Sequence, residues 1–320
     1  MRLRKITYAA VSVLGLNQQH SDSSSNAAAD STALTRSRST WALAARAFAS
    51  NRLALVAVGY IIAMLLFCFI GPLFYHTNQF LSDIAISNLP PGKLHPLGTD
   101  HYGFDILGRL MLGGQNSLEL AFAVAVASSI VGMIWGGISA YLGGWVDSVM
   151  SRILDVGIAI PAIFLFVFLA SVFRPDKLLI ILVLTAIFWM MPARLVRGET
   201  LSLRTREFVA AARLSGNGPV RILITHIFRN VLGTLAVSAT LQATQAILIL
   251  ATLNFFGFGL PPPNPSWGGM LSGGINYLYA GYWWQIFPAA LVITTIVVAL
   301  SIAGDGLQDS VDVRLQGRGR

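Results

Sequence analysis

The stretch LAFAVAVASSIVGMIWGGISAYL, Leu120–Leu142, decides how this chain folds. It runs from end to end without a charged residue. About 20 apolar residues cross the hydrocarbon core of a bilayer as a helix, and within lipid every backbone N–H and C=O has to bond inside its own segment. The run therefore reads as a membrane-spanning helix. Gly132, Gly136 and Gly137, followed by Ala140, repeat small residues along it, so that a second helix can approach closely and gain van der Waals contact. Gly143-Gly144 ends the span, and Trp145 suits the aromatic belt at the membrane surface.

Working outward, five more apolar runs appear: Leu53–Tyr75, Val156–Phe173, Leu178–Pro192, Leu232–Leu253 and Trp283–Ala303. The fourth span in chain order, Leu178–Pro192, is short and is expected to continue past Arg194, whose side chain can snorkel to the interface. The expected fold class is an all-α integral membrane protein with six transmembrane helices. Composition agrees: 55% of the 320 residues are hydrophobic and only 11% charged, against about 25% charged in soluble domains. The net charge of +8 fits a membrane protein with basic cytoplasmic loops better than a nucleic-acid binder. The single cysteine, Cys68, lies inside an apolar run and excludes an internal disulfide.

Placing the N-terminus inside puts eighteen Lys and Arg residues on the cytoplasmic side. Only Lys93, Arg109, Arg174 and Lys177 then fall outside. That asymmetry predicts cytoplasmic N- and C-termini. The basic start, the apolar stretch Ile6–Leu16 and Ala27-Ala28-Ala29 imitate a signal peptide. Cleavage would leave the basic segment Arg36–Arg52 outside, against the charge rule. Residues 1–40 are expected instead to form a disordered cytoplasmic tail.

Several chemistries find no residues to carry them. No GxxxxGK[ST] phosphate loop occurs, so the sequence holds no recognisable ATP site. His20, His76, His95, His101 and His226 are scattered, no HExxH or GxSxG motif is present, and no cofactor or metal is expected. Glu119, Asp147, Asp155 and Asp176 sit at span borders or in loops. Ion-coupled carriers usually hold a carboxylate within the bilayer, so that class is disfavoured. Gln242 and Gln245, three residues apart on the fifth span, share a helix face. They either line a pathway or hydrogen-bond between helices.

The segment Arg194–Val231 is too patterned for a linker. Arg206–Ser215, REFVAAARLS, reads as a short helix with Thr205 as N-cap and Glu207 at the positive end of its dipole. Gly216-Asn217-Gly218-Pro219 stops it, and Pro219 opens a second helix, Val220–Asn230, running into the fifth span. Ala210-Ala211-Ala212 offers a low surface to another protein's backbone. An amphipathic helix lying on the membrane is the other reading of the same residues.

Here the chain resembles the permeases of ABC importers, whose cytoplasmic "EAA" motif reads EAA-x3-G-x9-I-x-L-P. It falls on Ala210-Ala211-Ala212 and Gly216, with Ala210 in place of glutamate, His226 at the usual isoleucine position, Ile227 one place late, and Phe228-Arg229 for Leu-Pro. Further stretches resemble the C-type permease subunit of dipeptide, oligopeptide and nickel importers. They are His95-Pro96-Leu97-Gly98-Thr99-Asp100 with Gly103, Asp105, Leu107 and Arg109 (Phe104 replacing an arginine), Tyr141-Leu142-Gly143-Gly144-Trp145-Val146-Asp147, Phe258-Gly259-Leu260 through Met270-Leu271, and Gly304-Asp305-Gly306-Leu307-Gln308-Asp309. The likeness runs from about Trp41 to Leu315.

The resemblance implies a type I ABC-importer transmembrane fold in a prokaryotic inner (cell) membrane. Residues 41–114 would form a first helix and external loop, 115–305 a five-helix transport unit, and 306–320 a cytoplasmic tail. It also implies the partners: a second related permease subunit, two ABC ATPase subunits and an extracytoplasmic substrate-binding protein. Glu207, Ala210, Ala211, Ala212, Arg213, Gly216 and Ile227 would couple to the ATPase. The rival readings are an ion-coupled secondary carrier and a non-transporting membrane scaffold.

Overall fold

The computed structural model of the chain describes residues 40–172 and 176–316. Residues 1–39, on which the expected tail falls, lie outside the described residues. The first helix, α1 (Thr40–Ser50), leads into α2 (Arg52–Phe69), where the Asn51 side chain accepts from Ala54 N at 3.1 Å and so caps an otherwise orphaned N–H. One further turn, Gly71–Phe74, has a proline at its start, where a missing N–H does no harm. The long helix α3 (Ile106–Leu142) is capped by Asp105, which accepts from Gly108 N at 2.7 Å, and ends at Gly143 with φ +69°.

Then follow α4 (Gly144–Ala159), α5 (Ala162–Val172), α6 (Lys177–Phe188), α7 (Met190–Leu203) and the short α8 (Glu207–Leu214). The helix α9 (Pro219–Phe255) contains a π-helical segment, Leu223–Phe228. After it come α10 (Trp267–Leu278) and α11 (Phe287–Gln316).

Four helices among the described residues are long and apolar enough to cross a membrane: Arg52–Phe74, Ile106–Leu142, Pro219–Phe255 and Trp283–Val311. The pair α6 and α7, bent by 42°, makes a fifth if taken together. The expected span Val156–Phe173 is divided between α4 and α5 and is not among these five, so the described residues support the all-α membrane fold without reaching the count of six. Proline has no N–H and disfavours helical geometry in the residue before it. Accordingly Ile160, ahead of Pro161, is extended (φ −84°, ψ 121°), and only the 11 residues of α5 follow. The expected continuation of the fourth span past Arg194 is seen in α7, which reaches Leu203.

One local expectation also changes. Thr205 does not cap α8: its hydroxyl donates back to Ser202 O at 3.0 Å, and Arg206 occupies the cap position with no side-chain bond. A threonine just past a helix end readily bonds the preceding turn instead. The helix expected over Val220–Asn230 does run into the fifth span: it is the first part of α9, which is helical from Pro219 to Phe255 with the π segment inside it.

The helix α3 is central. Its Leu118, Leu120, Ala121 and Val124 pack with Ile180 and Leu184 of α6, Ile247, Leu250 and Leu253 of α9, and Ile293, Ile296 and Leu300 of α11. Its outer side shows Val126, Ile130 and Ile134. A helix apolar on every side belongs to a membrane rather than to water.

Candidate coupling surface and external cavity

The eight residues of α8 divide into two faces. Val209 and Ala212 are buried against Val196, Ile222, Ile227 and Val231. Glu207, Phe208, Ala210, Ala211, Arg213 and Leu214 are exposed, Leu214 by 90%. Successive residues turn by about 100° on a helix, so Ala212 points inward and does not join Ala210 and Ala211 on one surface. Ile227 is fully buried beneath them. Glu207 in the first turn and Arg213 in the last suit the helix dipole, and the Arg213 guanidinium lies 5.4 Å from the Tyr141 ring centre.

Gly216 closes the helix with φ +78°. Its N–H donates to Arg213 O at 3.0 Å, and Asn217 N–H donates to Ala212 O at 3.2 Å, which is a Schellman motif. Asn217 adds a side-chain bond to the same carbonyl at 3.1 Å.

Behind α8 stands a polar clamp. Arg197 donates to both oxygens of Asp147, from Nε to Oδ1 at 2.6 Å and from Nη2 to Oδ2 at 2.7 Å. Ser139 Oγ donates to the same Oδ1 at 2.6 Å, and Arg204 Nη1 donates to Ala140 O at 2.7 Å. The Arg197 guanidinium, with further help from Ser139 and Arg204, outweighs burial and holds the Asp147 carboxyl below its usual range. Three elements are tied together by these bonds: the end of α3, the start of α4, and α7. Sequence spacing alone does not reveal this pairing, because Asp147 and Arg197 lie 50 positions apart.

The expected helix-packing glycines meet real neighbours. A Cβ at Gly132 would lie 2.6 Å from Pro192 Cβ, one at Gly136 would lie 2.2 Å from Ala193 O, and one at Gly137 would lie 2.3 Å from the Phe228 ring. These contacts seat α3 on α7 and on the base of α9. The two glutamines part company. Gln242 is buried, accepting from Ser128 Oγ at 2.6 Å and donating weakly to Ser129 and Ser238, whereas Gln245 is exposed on α9.

At the opposite end, the segment 76–105 folds over the helices. Tyr75 Oη donates to Asp105 Oδ2 at 2.9 Å, and His95 Nδ1 lies 2.9 Å from the same oxygen. Asp100 accepts from Tyr102 N and Phe104 N, each at 2.9 Å, and pairs with Arg109 Nε at 3.4 Å. Arg109 also stacks 3.9 Å over Phe104, a contact that the replacement of a family arginine by phenylalanine makes possible. Trp284 Nε1 donates to Thr99 O at 3.2 Å, which holds the last helix to this cap. Between cap, α3 and α10 lies a cavity of about 80 Å³. His101 on its wall stacks against Tyr277 at 4.6 Å; burial pushes its imidazole below the usual range, with Arg109 acting the same way and Asp100 opposing. Among the described residues no group of three His, Cys, Asp or Glu converges to hold a metal ion.

A bundle of membrane-length helices, with one short helix packed at its end and half uncovered, defines an α-helical integral membrane protein. Residues 128–317 match the family described as "Binding-protein-dependent transport system inner membrane component", and residues 39–91 match the "N-terminal TM domain of oligopeptide transport permease C". The oligopeptide transport system permease protein OppC of Bacillus subtilis (strain 168) is 35% identical over 281 residues, 88% of this chain and 92% of that protein. The dipeptide transport system permease protein DppC of the same organism is 32% identical over 271 residues, 85% of each chain. OppC of Escherichia coli (strain K12) is 37% identical over 277 residues, 86% of this chain and 91% of that protein. The chain belongs to the family of inner-membrane components of binding-protein-dependent transport systems: it is a permease subunit of an ABC importer, and not an enzyme.

Proposed function

We propose that this chain forms half of the translocation pathway of a peptide importer and receives the work of ATP hydrolysis through α8. The observation that carries the coupling role is the two-faced geometry of that helix. Val209 and Ala212 anchor it, while Phe208, Ala210, Ala211 and Leu214 stay uncovered. An uncovered apolar patch on a helix held rigidly from behind suits a docking partner. Two ATPase subunits, a second related permease and an extracytoplasmic binding protein complete the machine, and both termini lie in the cytoplasm. Peptide as cargo is supported by the similarity to oligopeptide and dipeptide permeases. Gln245, exposed on α9, is the better candidate of the two glutamines for the pathway, because a lipid-facing amide is costly. Gln242 serves as a tie between α3 and α9.

Co-expression with ABC ATPases, a second permease and a binding protein of the peptide-import type tests this reading. A stable complex that takes up peptide only with ATP and the binding protein is the expected result. A subunit that purifies alone, with uptake driven by a proton or sodium gradient, makes the chain a secondary carrier. A subunit that supports no transport at all makes it a scaffold.

A further inference from the structure

The helix α10, WGGMLSGGINYL, carries four glycines, and they are not alike. A Cβ at Gly268 would strike Ala251 O at 2.2 Å, and one at Gly274 would lie 2.9 Å from Gln285 O, so packing demands both. Gly273 is different: its nearest neighbour is His101 Cε1 at 3.5 Å, an ordinary contact. At Gly269 the nearest atom is its own capping hydroxyl, Ser266 Oγ, at 3.0 Å. Glycine weakens a helix interior relative to alanine, and at Gly273 nothing in the fold requires it. Gly269 and Gly273 lie one turn apart, and both line the external cavity. The space left there by the missing side chains is the cavity itself.

Polar side chains also line the cavity. Gln285 is 2% exposed; its Nε2 donates to Asn88 Oδ1 at 2.7 Å, which fixes the amide and leaves Oε1 a buried acceptor with no partner. Arg109 Nε, a donor, sits 3.4 Å from Asp100 Oδ2 without a well-formed hydrogen bond. A buried polar atom left unpaired is costly, and the two residues that carry these atoms, Gln285 and Arg109, both line the glycine-walled space. We propose that this cavity is a receiving subsite for a peptide backbone amide, whose N–H would donate to Gln285 Oε1 and whose C=O would accept from Arg109, with the bare face of α10 admitting the chain. The inference rests on the peptide-importer reading and names the chemistry recognised at its outer face.

The test uses the complete importer, with its ATPases and binding protein, in liposomes. A mixed library of short peptides first identifies the best-transported member. Analogues of that peptide, each with one backbone N–H replaced by an ester oxygen, are then compared at equal occupancy of the binding protein. The wild-type importer is expected to handle one analogue about tenfold less well, as loss of one good hydrogen bond implies. Gln285→Leu should lose that discrimination, and Gly273→Leu should raise the half-saturating concentration for the parent peptide. If Gly273→Leu does not assemble, Gly273→Ala serves: it should raise the same concentration while leaving the melting temperature unchanged or higher. Discrimination that persists in Gln285→Leu, or a filled cavity that transports normally, means that the space holds only water and overturns the subsite alone. A wild-type complex that imports no peptide overturns the peptide reading and the subsite with it.

Discussion

Arg197 holds Asp147 by both carboxylate oxygens, at 2.6 and 2.7 Å, across 50 residues of chain. Neither partner lies in α8, yet together they fix the platform on which it rests. Arg197→Lys keeps the charge and loses the two-pronged geometry. It should lower stability by about 1–2 kcal/mol, in keeping with hydrogen bonds between charged groups, and thermal melting of the purified complex reads this directly.

The same pair sets a pH dependence. The Asp147 carboxyl titrates below its usual range in the folded chain, so the unfolded chain binds its proton first as pH falls. The clamp therefore contributes fully above the ordinary aspartate range and is lost as pH drops through the lowered value. Asp147→Asn should flatten the fall in melting temperature on acidification below about pH 4. An unchanged acid profile in that variant would show that the clamp is not the titrating element.

Ala211 and Ala212 should fail for different reasons. Ala211→Glu adds a charge to the exposed face of α8, so the subunit should stay folded while peptide-stimulated ATP hydrolysis falls at least tenfold. Ala212→Glu forces an unpaired charge into the cluster of Val196, Ile222 and Ile227. It should reduce the amount of folded subunit in the membrane before coupling can be assayed. Gly216→Val strains a backbone held at φ +78° by about 1–2 kcal/mol, and should misdirect α8 with partial loss of both quantities.

Gly136→Ala places a methyl group 2.2 Å from Ala193 O. Neither backbone can yield without separating α3 from α7, so we expect a loss of about 1–3 kcal/mol, the usual range for overpacking. Gly59→Ala, with open space around its Cβ, is the matched control and should melt as the wild type does.

Orientation can be read by thiol labelling in a chain lacking Cys68. A cysteine at the exposed Lys93 should react with an impermeant reagent added outside, and one at the exposed Ser215 only after the membrane is opened. Labelling of the latter in intact cells would reverse the topology. Ser266 is unsuitable for this purpose, since it is buried and caps α10.

What was legible in the sequence followed from long uniform signals. The runs around Met64, Val124, Ile247 and Val297 are apolar over enough residues that only a helix in lipid satisfies them. The positive φ at Gly216 and the close approach at Gly136 could be read because only glycine tolerates either. The break at Pro161 and the bend at Trp189 were not legible, because both lie inside apolar runs that hydropathy treats as continuous. The split between Gln242 and Gln245 depends on which neighbour is near: Ser128 of α3 is 114 positions away from Gln242, and sequence spacing says nothing of it. For the same reason three consecutive alanines looked like one face until Val196 and Ile227 were found behind Ala212.

The π segment Leu223–Phe228 gives α9 a consequence of its own. Beyond it, Arg229–Phe255 continues as 27 unbroken α-helical residues, a rod of about 40 Å at 1.5 Å per residue. π segments are rare and frequently lie at functional sites, and inserted residues of this kind are among the places where helices bend. A tilt of about 10° there swings the far tip at Phe255 by roughly 7 Å over that length, about the diameter of an extended peptide, while every hydrogen bond along the rod stays intact. On the coupling role proposed for α8, which packs beside that segment through Val209 and Ala212, a push of an ångström or two there would be geared into a displacement of that size at the far tip.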